Sequence, residues 1–311
     1  MTEAAKGLLA MVSACVVWGL SSIYYKALSD VPPLEVLCHR TLWSFVLFGL
    51  ILAAQGRLGA LAAAFGGRNG LVLAFSAAVV SVNWFVFIWA VQSGRATEAS
   101  LGYYVFPLVA VVIGMLAFGE RLGRLQAMAV ALAAVAVGVL FWGLGAKVGI
   151  VLALAFSFGL YGLAKKYLPV GPVVSVTAEV AILTPLALVC LAGLHAGWWG
   201  PQGRVGHFGR DAATTAMLVF SGVLTAGPLI LFSYAARRVR LATVGLVQYL
   251  NPTLQLVCAV LLFAEPLTRW HVAALGLIWP ALVLYSYASL RQPKAVESAL
   301  SSALTLGTTT R

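Results

Sequence analysis

Long apolar runs separated by short polar breaks dominate the chain, and ten of these runs are long enough to span a membrane. A helix rises about 1.5 Å per residue, so roughly 20 apolar residues cross a hydrocarbon core of about 30 Å. The ten predicted spans are residues 7–28, 33–55, 70–92, 97–118, 124–143, 147–164, 172–194, 212–235, 241–263 and 270–289. The pattern predicts an all-α integral membrane protein with ten transmembrane helices.

The block formed by residues 97–124 occurs twice in the chain. Shifted by 145 positions, it aligns without a gap with residues 242–269. Leucine matches are common in a sequence this apolar, but a shared Tyr, Pro, Glu and Arg in one register are not. The residues that match in this way are Tyr104 and Tyr249, Pro107 and Pro252, Glu120 and Glu265, and Arg124 and Arg269. An internal repeat of this kind determines the architecture of the whole fold.

A weaker match at an offset of 140 extends the repeat, because Gly19 aligns with Gly159 and Pro32 with Pro172. Spans 1–5 therefore correspond to spans 6–10. We expect a first repeat at 1–145, a second at 146–290 and a disordered cytoplasmic tail at 291–311. Five is an odd number, so the two halves enter the membrane from opposite sides. Such inverted repeats are typical of secondary transporters, and a duplication without transport is the alternative.

The charged residues are few and unevenly placed. Only 9% of residues are charged and the mean hydropathy is +0.98, whereas soluble domains carry about 25% charged residues. Thirteen Lys and Arg residues fall on one side of the predicted membrane and five on the other, which places both termini in the cytoplasm. The net charge of +11 therefore reflects topology. The sequence offers no soluble basic face for nucleic acid.

Motifs for other chemistry are missing from the sequence. The four cysteines lie in apolar runs without metal-ligand spacing. We find no nucleophile–base pair for an intramembrane enzyme and no glycine-rich phosphate loop for ATP. The sequence therefore predicts no enzyme activity, no metal or other cofactor and no ATP. A lipid-embedded carrier of a small solute and a non-transporting scaffold are the two interpretations that this leaves.

Several stretches resemble one family of carriers. They are His39 to Ser44, Val82 to Trp84, Phe87 to Val91, Glu98 to Tyr103, Pro107 to Leu108, Gly119 to Leu122, Ala155 to Gly159, Tyr161 to Leu163, Gln248 to Tyr249 and Pro252 to Leu254. Through them nearly the whole chain resembles the EamA type of the drug/metabolite transporter superfamily, and within it the RarD-like permeases. One departure is Phe106, where that family often has Asn before the proline. The resemblance implies an export-type permease of the bacterial plasma (inner) membrane, with a substrate path between helices 1–4 and 6–9.

Ionisable residues inside spans are costly and are therefore functional candidates. Span 2 carries Glu35 and His39 on one face, beside Arg40. These three either line a proton or gating path or form an internally paired cluster that locks helices together. Glu179 stands alone in an uncharged run of span 7, as a pathway carboxylate or as a protonated packing residue. Lys165 lies near the end of span 6 and is expected to snorkel to the interface.

The repeat relates His39 to Glu179 and suggests a coupling hypothesis. Each residue lies about seven positions into its span, or roughly 10 Å deep. Because the halves are inverted, we expect the two side chains to flank a midplane site from opposite sides. Protonation of each side chain would then couple protons to alternating access. The alternative is an uncoupled facilitator or exchanger in which both groups only hold helices in place.

Two walls of a cavity are predicted from span 9 and its repeat partner. Gln248, Asn251 and Gln255 are spaced i, i+3 and i+7, so they share one face, as a cavity wall or as glue between helices. The equivalent face of span 4 is aromatic. It contains Tyr103 and Phe106. An amide wall facing an aromatic wall predicts a small amphipathic organic solute. Further candidates for the substrate path are Asn83, Trp84 and Tyr161.

Three other features are interpreted structurally or left with alternatives. Pro107 and Pro252 each remove a backbone hydrogen bond in mid-span, which predicts either a helix break at a binding site or a simple kink. Glu120 and Glu265 precede spans 5 and 10, where a carboxylate suits the helix dipole. The Ala- and Gly-rich span 5 suggests a homodimer through spans 5 and 10, or close packing within its own chain.

Overall fold

The computed structural model describes residues 2–118, 123–198, 206–236, 238 and 247–291, and all regular structure in these ranges is helical. The helices are α1 (Glu3–Ala27), α2 (Pro33–Ala54), α3 (Leu58–Ala64), α4 (Arg68–Gln92), α5 (Ala96–Phe118), α6 (Arg124–Leu144), α7 (Val148–Lys166), α8 (Pro172–His195), α9 (Ala212–Ala236), α10 (Leu250–Val257) and α11 (Arg269–Arg291). A 3-10 turn, Gly145–Lys147, joins α6 to α7, and a π-helical turn, Cys258–Leu262, continues α10.

The all-α membrane fold predicted from the hydrophobic pattern is confirmed. Within the described ranges, nine helices are long and apolar enough to cross a membrane, and Leu250–Leu262 is a shorter apolar helix in the position of span 9. The first residues of that span, 241–246, and all of the predicted disordered tail except Arg291 lie outside the described residues. The short helix α3 was not predicted, and it occupies the connection between spans 2 and 3.

The helices of one half pack mainly against helices of the other half. α5 packs on α7, and its repeat-related pair is α10 on α1. α4 packs on α7 and on α8, and the related pairs are α9 on α1 and α9 on α2. α2 packs on α8, and α6 packs on α11. In each of these two pairs, one helix is the repeat counterpart of the other. The two repeats therefore interlock around a pseudo-twofold relationship, and neither half encloses a core by itself.

Two glycines that are equivalent in the repeat allow this interlocking. A Cβ added to Gly19 of α1 would lie 2.6 Å from the Leu254 Cβ of α10. A Cβ added to Gly159 of α7 would lie 2.7 Å from the Ile113 Cδ1 and 3.4 Å from the Val109 Cγ1 of α5. Leu254 and Val109 occupy the same position in the 145-residue repeat. Absence of a side chain at both glycines therefore lets the repeat-related helix pairs approach. The contact is tighter at Gly19, where the neighbour is a Cβ, than at Gly159, where the nearest atom is the end of the Ile113 side chain.

The two repeat-related prolines have different surroundings. α5 continues as one helix from Ala96 to Phe118 with Pro107 inside it, so the predicted break does not occur there. Pro107 has no N–H to donate to the carbonyl of Tyr103, which leaves a local weakness without ending the helix. Pro252 lies in the first turn of α10, directly after a turn at Tyr249. Only the second of the two therefore lies beside an interruption of the helix.

Candidate functional site

A cavity of about 700 Å³ lies between the two halves. This volume is typical of small-molecule sites, which range over roughly 300–1,000 Å³. Its walls come from eight of the long helices, all except α6, and from α10. The polar and aromatic residues in these walls are Trp18, Ser21, Tyr25, Arg40, Asn83, Trp84, Phe87, Tyr103, Phe106, Phe158, Tyr161, Lys165, Thr225, Phe232, Gln248, Tyr249, Asn251, Gln255, Tyr285 and Ser286. Pro107 and Pro252 also line it.

The aromatic side chains of α5 and α7 form one wall. The ring centroid of Phe158 lies 5.9 Å from that of Tyr103 and 4.7 Å from that of Phe106, in edge-to-face arrangements. The Tyr103 hydroxyl donates to the Asn83 Oδ1 at 3.0 Å, and the Asn83 Nδ2 donates to the Ser157 Oγ at 2.9 Å. Asn83 therefore positions the aromatic wall through its own bonds while it lines the cavity.

The three amides predicted to share a face of span 9 all line the cavity. The Gln255 Nε2 donates to the Asn251 Oδ1 at 3.0 Å, one helical turn away. The Gln255 Oε1 is buried without a hydrogen-bond partner among the described residues. Gln248 lies at the first turn of this segment, next to Tyr249, which also lines the cavity. An amide wall and an aromatic wall thus enclose the same space.

Arg40 of α2 carries a positive charge into this space. Its side chain is buried, with the residue 7% exposed, and its guanidinium carbon lies 4.1 Å from the centroid of the Trp84 ring. The Arg40 Nε donates to the Thr225 Oγ1 of α9 at 2.9 Å. The Trp84 ring and the hydrogen bond to Thr225 orient the guanidinium. By sequence position, Arg40 was grouped with Glu35 and His39.

Lys165 and Glu179 form an ion pair at the cavity wall, which corrects two expectations. Glu179 does not stand alone: its carboxylate, 1% exposed, contacts the Lys165 Nζ and accepts from the Ser76 Oγ at 2.6 Å. The Tyr161 hydroxyl donates to the other carboxylate oxygen at 3.2 Å. Lys165 does not snorkel, because it lines the cavity and reaches inward to Glu179. The Lys165 ammonium therefore pairs with Glu179, 14 residues later in the chain, and not with water at the membrane interface.

The internally paired Glu35–His39–Arg40 cluster, which was the alternative to a proton or gating path, does not form among the described residues. The Glu35 carboxylate accepts from the backbone N–H of His207 and Phe208 and contacts the His207 Nδ1 at 3.0 Å. The His39 ring stacks on Phe208, with centroids 4.7 Å apart, and both of its buried nitrogens have no partner among the described residues. Residues that adjoin in sequence thus point to different neighbours. Glu35 and His39 anchor the connection before α9 to α2, and neither lines the cavity.

Comparison with known proteins identifies the family. The EamA-like transporter family matches the chain twice, over residues 5–142 and 146–287. The chain belongs to the EamA-like transporter family. It is 37% identical over 301 residues to the uncharacterized transporter YojE of Bacillus subtilis (strain 168), covering 95% of this chain and 98% of that protein. It is 40% identical over 304 residues to the protein RarD of Streptomyces exfoliatus, covering 97% and 94%.

A solved structure supports the fold of this EamA-family chain. A crystal structure with 17% sequence identity covers 92% of this chain and 99% of its own, with a TM-score of 0.62. At that identity the similarity shows the fold alone. The family and the relatives together make this protein a multi-pass membrane transporter, and they support the RarD-like resemblance noted in the sequence.

Glu265 of this EamA transporter caps a helix other than the one predicted. Its carboxylate accepts from the backbone N–H of Ala96 and Thr97, each at 2.8 Å, and from the Thr97 hydroxyl at 2.7 Å. It therefore accepts from the free backbone N–H groups at the N-terminus of α5, where a negative charge is favourable, and does not cap α11. The preceding residue, Ala264, has a φ of 53° in the left-handed region. The repeat-related Glu120 lies outside the described residues.

The small residues of α6 face another helix of the same chain. Ala129, Ala133 and Ala136 are fully or almost fully buried, and they belong to the cluster that includes Ala274 and Ile278 of α11. The expected close packing of small residues is therefore satisfied within the chain. The opposite side of α6 exposes large apolar side chains, such as Trp142 at 83%. A homodimer through spans 5 and 10 stays a prediction that would use this other side.

Several lining residues of the cavity were not predicted. Trp18, Ser21 and Tyr25 of α1 are spaced i, i+3 and i+7, the same spacing that identified the amide face of span 9. This spacing was the sequence signal that could have identified them as residues sharing one helix face. Phe158 was noted only as part of a family motif, although it contacts Tyr103, Phe106 and Tyr161. Its role depends on which helix faces α5, which periodicity alone does not specify.

Proposed function

We propose that the protein exports a small amphipathic organic solute by alternating access, with the central cavity as its substrate site. The observation that carries this proposal is the enclosure of one cavity of about 700 Å³ by an aromatic wall, from α5 and α7, and an amide wall, from α10 and the residues just before it. Aromatic rings favour an apolar body, and amides orient polar groups. A solute with both parts fits such a space, whereas a hydrated inorganic ion does not use the aromatic surface.

The packing between the two repeats suggests how the protein would alternate between two conformations. Most helix pairs between the halves have a repeat-related counterpart, so exchanging the conformations of the two repeats exchanges one set of contacts for a related set. Two states of similar free energy follow from that equivalence, because the same kinds of contact are made in each. The cavity between the halves would then open to one side in one state and to the other side in the second.

Proton coupling is the finer part of the proposal, with Glu179 as the coupling residue. Its carboxylate is buried against Lys165, which lines the cavity. Protonation of Glu179 would remove its charge and release Lys165 from the ion pair, which changes the electrostatics of the substrate site. His39 on the outer side is the second titratable candidate. An uncoupled facilitator or exchanger is the alternative, in which the Lys165–Glu179 pair only holds α7 to α8.

Transport assays on cavity variants test the site. We expect Tyr103→Ala and Gln248→Ala each to change the transport kinetics of solutes from a metabolite panel, in inside-out and right-side-out vesicles with equal expression. Phe75→Ala is the matched control, because Phe75 lies on the outside of α4, is 48% exposed and does not line the cavity. Unchanged kinetics for both cavity variants would refute the assignment of the site.

A further inference from the structure

Among the residues that the structure describes, Arg40 is a buried cation without an anionic partner. None of the ion pairs between described residues includes it, and its hydrogen bond is from Nε to Thr225. The two Nη atoms have no hydrogen-bond partner in the described part of the chain. Buried charges in proteins are normally paired, because taking an unpaired charge out of water is expensive. An exception that lines a cavity therefore points to a partner that comes from outside the protein.

The other charges that the described residues bring near the cavity are neutralised by partners of their own. Lys165 is the second charged residue in the lining, and it is committed to Glu179. None of the described carboxylates lines the cavity, and Glu35, five residues before Arg40, binds the connection at His207. The described lining thus has one uncompensated positive charge. A cationic solute would be repelled there, and a solute with one negative charge would complete the pairing.

The geometry of Arg40 leaves its binding edge available. The guanidinium carbon lies over the Trp84 ring, 4.1 Å from its centroid, and 5.8 Å from the centroid of the Tyr25 ring of α1. Contact with these rings uses no N–H hydrogen bond, and paired hydrogen bonds to a carboxylate use the Nη edge. Thr225 holds Nε and so fixes the orientation of that edge. The arrangement resembles a pre-oriented receptor for a planar two-oxygen anion.

A series of aromatic rings leads away from Arg40 along the cavity. Successive ring centroids are 5.8 Å apart from Tyr25 to Phe87, 5.7 Å from Phe87 to Tyr103 and 5.9 Å from Tyr103 to Phe158. All four residues line the cavity. A carboxylate at Arg40 would therefore place the rest of a solute against a continuous apolar and aromatic surface.

We propose that this cavity selects an amphipathic organic anion, whose carboxylate pairs with the Nη edge of Arg40 and whose apolar or aromatic body lies along the series from Tyr25 to Phe158. The inference rests on the proposed substrate site and adds the charge of the substrate. It assigns Arg40 to substrate recognition, where the sequence had placed it in a proton or gating path.

Binding of a matched set of probes tests the charge. The set is 3-phenylpropionate, 3-phenylpropionamide and 3-phenylpropylamine, together with the corresponding indolyl and octyl acids, amides and amines, titrated calorimetrically into the full chain in lipid nanodiscs. Each acid is expected to bind about tenfold or more tightly than its amide, because the charge-assisted pair is lost with the amide. The amine is expected to bind most weakly of each set.

Variants of Arg40 and a matched arginine locate the effect. Arg40→Gln should remove the preference for the acid over the amide, and Arg40→Lys should keep a reduced preference because it lacks the paired N–H edge. Thr225→Val should weaken acid binding by a smaller factor. Arg95→Gln is the control, since the Arg95 guanidinium also lies over a tryptophan, 5.1 Å from the Trp89 centroid, but does not line the cavity. It should keep the wild-type preference.

The outcomes separate this inference from the proposed function. Equal or tighter binding of the amides or amines to the wild-type protein, with loss of that binding in Tyr103→Ala, would overturn the anion assignment and leave the substrate site intact. An acid preference that survives Arg40→Gln would also overturn the role of Arg40. If no probe binds, or if binding is unaffected by both Tyr103→Ala and Arg40→Gln, the inference fails together with the site itself.

Discussion

The Lys165 ammonium of α7 and the Glu179 carboxylate of α8 form an ion pair at the wall of the central cavity. Glu179 is 1% exposed and also accepts hydrogen bonds from Ser76 and Tyr161, so the pair is part of a buried polar network. Such a pair is weak evidence for stability by itself, but removal of one partner leaves a buried charge uncompensated. This asymmetry leads to two separate predictions.

The first prediction concerns stability. Glu179→Gln leaves the Lys165 ammonium without its anionic partner, and Lys165→Met leaves Glu179 as a buried carboxylate without its cationic partner. Breaking a buried pair by removing one partner costs about 3–5 kcal/mol in other proteins, whereas replacing both partners is often nearly neutral. We therefore expect each single variant to unfold at a clearly lower temperature than the wild type, and the double variant to recover most of the loss. Additive losses in the double variant, measured by thermal unfolding in detergent, would contradict this.

The second prediction concerns coupling. In proteoliposomes, Glu179→Gln is expected to abolish flux driven by a proton gradient while exchange of substrate across the membrane is largely kept, because the residue that carries the proton is gone but the cavity remains. Retained exchange also shows that the variant is folded. Gradient-driven flux at the wild-type level in Glu179→Gln would mean that Glu179 is not the coupling site and would favour the uncoupled alternative.

The third prediction concerns helix contact in the repeat. Gly19→Ala places a methyl group 2.6 Å from the Leu254 Cβ and 3.1 Å from the Asn251 backbone oxygen, so α1 and α10 must separate. We expect a loss of thermal stability. Gly138→Ala in α6 is the control, because no atom of the described residues lies within 4 Å of its added Cβ. There the gain in helix propensity of about 0.5–1 kcal/mol predicts equal or higher stability. Equal stability of the two variants would show that α1 and α10 do not approach as described.

The fourth prediction concerns orientation. In a background with the four native cysteines replaced, Arg210→Cys before α9 should react with a membrane-impermeant thiol reagent added outside intact cells. Arg238→Cys, after α9, should react only after the membrane is opened, because the cytoplasmic side is expected to carry most of the Lys and Arg. The opposite labelling pattern would overturn the predicted topology, including both cytoplasmic termini.

Much of this protein was accessible from the sequence. The spans follow from length and hydropathy, because lipid leaves the backbone no partner outside its own helix. The repeat follows from matches at fixed offsets, such as Pro107 with Pro252. The amide face of span 9 follows from the spacing of Gln248, Asn251 and Gln255, since helical periodicity alone decides which side chains share a face. Those residues do line the cavity.

The partners of the charged residues were decided by the tertiary structure. Sequence adjacency suggested that Glu35, His39 and Arg40 belong together, but Glu35 binds His207 and Arg40 binds Thr225. Likewise, Glu265 caps the helix that begins at Ala96. These partners are separated by 169 to 185 residues, and their meeting depends on which helices of the two repeats pack together. Local periodicity determines the face on which a side chain lies, whereas only the packing of the helices determines what that face meets.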